Sequence, residues 1–100
     1  MHARATMGQV QPGELDELTR FFEAVASQLQ SLKGALSTQL LLDRAANKML
    51  VVMLHETLAD QEAGNMLFWH SLADPWVAPV RAGQPVVAVC EVVAQVGRPT

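Results

Sequence analysis

Lys48-Met49-Leu50-Val51-Val52-Met53-Leu54-His55-Glu56 holds six consecutive apolar residues, Met49 to Leu54, and offers no polar face. A strand through it has apolar side chains on both sides and needs cover on both. Two further stretches share the property: Leu36 to Leu42, with Leu40-Leu41-Leu42, and Val86 to Val96, whose single charge is Glu91. A chain of 100 residues carries too few helices to roof both faces of such a sheet. The economical cover for the second face is another copy of the same sheet.

Composition narrows the partners. Folding at this size hides roughly 60–70% of the surface an unfolded chain exposes, and half of the residues here are apolar, which fits association or a greasy cavity. The net charge is −3 and the seven basic residues are scattered, so neither nucleic acid nor an anionic membrane is an expected partner. Cys90 is the one cysteine; it permits no intrachain disulfide and no cysteine-based metal site within one chain. The longest apolar runs, about ten residues, fall short of the ~20 needed to span a bilayer, and no leader-like segment opens the chain. A cytoplasmic protein is the expectation.

Along the chain, residues 3–10 suit a first strand. Gln11-Pro12-Gly13 then punctuates, and the acids Glu14, Asp16 and Glu17 stand where the positive end of a helix dipole favours them, so a helix is predicted from residue 12 or 13. Leu15, Leu18, Phe22, Val25, Leu29 and Leu32 recur three and four apart, one apolar stripe. Lys33-Gly34 is predicted to close the helix with a basic last turn and a left-handed glycine. Strands at 35–43 and 48–56 flank a four-residue link too short for a crossover, which makes them an antiparallel hairpin. Thr57 with Asp60 three residues on resembles a capping box and opens a second helix, expected over 58–73. Asp74-Pro75 starts an extra turn to Val80, and a last strand is expected over 86–96.

The order strand, helix, strand, strand, helix, strand defines an α+β class, the ferredoxin-like βαββαβ arrangement of one domain over 1–100 with a four-stranded antiparallel sheet. Right-handed crossovers put both helices on one face. The other is bare, which predicts a homodimer packed sheet to sheet.

Several short motifs resemble the antibiotic biosynthesis monooxygenase family of dimeric α+β barrel proteins. They are Pro12-Gly13-Glu14-Leu15-Asp16-Glu17-Leu18, Leu32-Lys33-Gly34-Ala35-Leu36, Leu41-Leu42-Asp43, His55-Glu56-Thr57 and Cys90-Glu91-Val92-Val93. The resemblance covers about residues 3–94. It implies a homodimer with a pocket in each subunit between sheet and helices. Its members include oxygenases of aromatic polyketides that use O2 without metal or flavin, haem degraders, and enzymes of small signalling molecules, so the fold alone does not choose an activity.

Asn65 and Trp69, four apart on the second helix, share a face. The resemblance implies that they hold a hydrophobic aromatic small molecule, the amide bonding its oxygens and the indole stacking on its ring. The tyrosine that such oxygenases present nearby is absent, because the chain has no Tyr. Packing for Trp69 and a solvated or capping amide for Asn65 is the structural alternative. His55, expected as a hydrogen-bonded residue at the surface or on a cavity rim, and His70, beside the Asn-Trp pair, are the candidate proton acceptors. In the haem-degrading branch a helix Trp works with a histidine roughly ten residues later and an Asn on strand one. Position 79 here is Pro and strand one has no Asn, so haem is not expected.

No metal site is expected, since no close His-x-His or His-x3-His spacing occurs, and no cofactor is assigned. Where many members show His-x-x-Ser-Pro-His, this chain has Ser71, Asp74, Pro75 and Trp76. Glu91, alone in an apolar strand, is expected to pair with Arg4 or to point outward. Cys90 is expected as a small core residue. Two functions follow: a cofactor-independent oxygenase acting on a hydrophobic aromatic molecule, or a non-catalytic homodimeric small-molecule-binding or regulatory module.

Overall fold

A computed structural model describes residues 1–68 and 82–97. Strand β1 (His2–Gln9) is followed by helix α1 (Leu15–Gln30), the hairpin β2 (Ala35–Asp43) and β3 (Lys48–His55), helix α2 (Leu58–Met66) and strand β4 (Val86–Glu91). The four strands form one sheet in the order β2-β3-β1-β4, with β1 antiparallel to both β3 and β4 and β2 antiparallel to β3. This is the ferredoxin-like βαββαβ topology.

Register assigns the faces. Met49, Val51, Met53 and His55 of β3 are buried, whereas Leu50, Val52 and Leu54 between them are half exposed. Across the ladder, His2, Arg4, Thr6 and Gly8 of β1 share the buried side with them, and so do Val87, Val89 and Glu91 of β4. The helices roof this side over β1, β2 and β3, while Val87 and Val89 on the β4 edge stay exposed. Leu15, Leu18, Phe21, Val25 and Leu29 of α1, with Leu32, Val10 and Phe68, close the core over Met49, Val51 and Met53. On the opposite side Ala3, Ala5 and Met7 align with Leu50, Val52, Leu54, Leu41, Val86 and Ala88. Among the described residues nothing covers that apolar face.

Helix boundaries differ from the pattern. Glu14 donates its N–H to Gln11 O at 3.1 Å, a turn that delays α1 to Leu15, and Glu14 makes no side-chain cap. At the other end the Ser31 hydroxyl bonds back to Gln28 O at 2.8 Å and ends the helix there, so its last turn has no basic residue. Gly34 still takes the left-handed conformation, φ 70°, on the way into β2. The stripe buries Phe21 where Phe22 was expected. Phe22 is half-buried, its ring 5.6 Å from that of Phe21 and 5.9 Å from that of Phe68.

The hairpin and the α2 start follow the sequence. Asp43 Oδ1 accepts from Ala46 N, and Asn47 adopts φ 52°. Thr57 Oγ1 accepts from Asp60 N at 3.1 Å, the forward half of the capping box. Strand β4 ends at Glu91, five residues before the expected limit at 96. The predicted reach of α2 to 73 and the turn at Asp74-Pro75 fall outside the described residues, as do Ser71, Trp76 and Pro79. No helix among the described residues is long and apolar enough to cross a membrane.

Candidate functional site

The inward face of α2 and of the turn that follows it carries Gln61, Gly64, Asn65 and Phe68, spaced three, one and three apart. Phe68 joins the core, but Gln61 and Asn65 bring amides to an apolar interface. The Gln61 side chain is 2% exposed, and neither its Nε2 nor its Oε1 has a hydrogen-bond partner. Asn65 Oδ1 is likewise buried and unpartnered. Beside them lies a cavity of about 220 Å³ lined by Arg4, Gln61, Glu62, Asn65, Met66 and Val89, between β1, β4 and α2. Its lining combines a guanidinium, two amides and a carboxylate with two apolar walls.

Arg4 projects to the helix side of β1, between Met53 and Val89 on the neighbouring strands. Its Nε is buried without a partner, and burial pulls the guanidinium below its ordinary range. The group nonetheless remains charged, because arginine does not lose its proton in proteins. Of the two expectations for Glu91, pairing with Arg4 is not seen among the described residues, and exposure is: Glu91 stands opposite His2 on the edge strand, open to water. Cys90 is exposed instead of buried, because it faces the bare side of that edge strand opposite Ala3.

His55 is 0% exposed, which corrects the expectation of a surface or rim position. The alternation that buries Met49, Val51 and Met53 carries the ring inward, and α2 then passes directly over it. A Cβ at position 64 would stand 2.8 Å from His55 Nε2, so Gly64 is what permits the approach. Neither ring nitrogen has a hydrogen-bond partner. Burial lowers the imidazole from its usual range, and the neighbouring Asp60 carboxylate opposes that shift without cancelling it. His55 does not line the cavity beside Asn65.

Of the four sequence candidates, Asn65 lies in the cavity, His55 is enclosed next to it, and Trp69 and His70 fall outside the described residues. Sequence reasoning passed over Gln61 and read Arg4 only as a partner for Glu91. An amide four residues before Asn65 on the same helical face was the available signal for Gln61. Among the described residues no group of three or more histidine, cysteine or carboxylate side chains could hold a metal ion.

A ferredoxin-like sheet roofed by two helices, with a mainly apolar cavity edged by polar side chains beneath the second, defines the class. No family model matches the chain, and no curated protein matches it. Solved structures do. An arginine-to-serine mutant of MhuD, bound to two manganese protoporphyrin IX molecules per active site, is 25% identical, with a TM-score of 0.79 over 98% of this chain and 100% of that one. A crystal structure of an antibiotic biosynthesis monooxygenase is 11% identical, with a TM-score of 0.76 over 94% of this chain and 100% of that one. Rv0793 from Mycobacterium tuberculosis is 10% identical, with a TM-score of 0.78 over 96% and 98%. The chain has the fold of the antibiotic biosynthesis monooxygenases, as its short motifs suggested.

Proposed function

We propose that the chain is an antibiotic biosynthesis monooxygenase-type protein that binds a hydrophobic aromatic small molecule beneath α2. The observation that carries this reading is the cavity of about 220 Å³ lined by Gln61, whose buried amide has no partner at either atom, and by Asn65, whose Oδ1 is buried and unpartnered. Polar groups converging on an apolar recess are the usual make-up of a ligand site. The volume lies below the roughly 300–1,000 Å³ typical of such sites and suits a molecule of one or two rings. The haem of the degrading branch is not favoured by the residues: where the resemblance puts a ligating histidine, at position 79, this chain has Pro, which has no side-chain donor for a metal.

In the oxygenase reading Asn65 bonds the substrate oxygens, Trp69 stacks on the ring, and His55 or His70 takes the proton whose loss readies the ring for O2. The second reading, binding without turnover, draws on one observation: His55 is sealed beneath Gly64 and lines no part of the cavity. Titration with 2-naphthol and related phenols, followed by intrinsic tryptophan fluorescence and by O2 uptake, tests both. Saturable binding lost in Asn65→Ala and Trp69→Ala supports the site, and unchanged binding in both variants overturns it. An O2-dependent product selects the oxygenase.

A further inference from the structure

Arg4 is the anomaly of the cavity. It is a half-buried cation with an unpartnered Nε, and no carboxylate lies within ion-pair distance of it among the described residues. Its ladder neighbours Met53 and Val89 are apolar, and the polar side chains that share the cavity with it are Gln61, Glu62 and Asn65. A guanidinium whose Nε is shut from water without an acceptor costs free energy unless something else supplies one. Gln61 reinforces the point: both atoms of a side chain that is 2% exposed lack partners, where native folds satisfy nearly all such groups.

We propose, building on the small-molecule reading above, that the cavity is made for an aromatic ligand bearing an ionised oxygen, a carboxylate or phenolate, with Arg4 as its counter-ion and the Gln61 and Asn65 amides as its hydrogen-bond donors. The guanidinium fork offers paired N–H groups to such an oxygen pair. A side-chain amide can present its nitrogen by a half-turn, so Asn65 and Gln61 can both donate. Met66 and Val89 provide apolar walls for the ring. Glu62 lines the same cavity but is exposed, and solvent and salt weaken its repulsion of an incoming anion.

Benzoate and its neutral isostere benzamide separate charge from shape. Titrated into the 15N-labelled chain, benzoate is expected to shift the backbone amides of Arg4, Gln61, Asn65 and Val89 saturably and to bind about tenfold or more tightly than benzamide. Arg4→Gln should abolish that preference, and Arg4→Lys should retain part of it. Equal binding of the two probes overturns the inference while leaving a small-molecule site intact. Binding of neither probe, nor of 2-naphthol, overturns both. Gln61→Met supplies a second readout: an amide kept for a ligand leaves the variant as stable as the parent or more so, with weaker benzoate binding. A destabilised Gln61→Met overturns the assignment, because the amide then serves the fold.

Discussion

His55 sets a pH dependence at the scale of one residue. In the unfolded chain an imidazole titrates near pH 6.5, whereas burial holds the folded one lower despite Asp60. Below about pH 6.5 the unfolded chain therefore takes up a proton that the folded chain refuses, and stability falls as the pH falls, until the folded group also titrates. Above that range this residue contributes no slope. Urea unfolding at about pH 7.5 and about pH 5 should show the loss, and His55→Leu should remove part of it, since leucine has no proton to exchange. The variant should also be no less stable at the higher pH, because it replaces a desolvated ring whose nitrogens have no partner. An identical pH dependence in both proteins would rule this out. His55 could have been placed from sequence, since it continues the alternation of Met49, Val51 and Met53. What sequence does not carry is that a glycine of α2 passes over that strand end.

Elements show the same division. The α1 stripe was legible, yet Phe21 and Phe22 both continue the spacing from Leu18, three and four residues on, so periodicity alone does not choose between them. Their rings differ in what they meet: Phe21 is wholly buried, 6.1 Å from the ring of Phe68, and Phe22 packs at the margin of the same cluster. Phe21→Ala should therefore cost about 3–5 kcal/mol in chemical denaturation, with Phe22→Ala costing about 1–2 kcal/mol. Equal losses would show that the two rings share the core position. The site is a tertiary product in the same sense. Asn65 was a candidate because the resemblance pointed to an Asn-x-x-x-Trp pair on the second helix, whereas Arg4 joins it at the cavity only through the order of strands, which sets β4 beside β1 and puts Val89 and α2 around the guanidinium.

The uncovered face belongs to the whole molecule. Four strands about 4.8 Å apart, at about 3.3 Å rise per residue, give a face of roughly 400–600 Å² per copy. Two such faces hide about 800–1,200 Å², at or just below the lower end of stable interfaces. The sheet alone is thus barely sufficient. The apolar tail beyond β4, where Val93 is 87% and Val96 98% exposed, is the natural supplement. Val86, 70% exposed on β4, extends the same surface. At roughly 25 cal/mol per Å² of apolar area the gross gain is at most about 20–30 kcal/mol, against about 4–15 kcal/mol lost when two bodies become one. Val52 sits near the middle of this face, opposite Ala5 on one side and Gln39 on the other. Val52→Lys leaves the helix-covered core untouched and can snorkel to water in a lone subunit, but in a sheet-to-sheet dimer it buries an unpaired charge. Sedimentation velocity at micromolar concentration should find the parent chain as a dimer and the variant as a folded monomer, with affinity weakened more than about a hundredfold. A parent chain that stays folded and monomeric, or a lysine variant that still pairs, would require that this apolar face be covered in some other way.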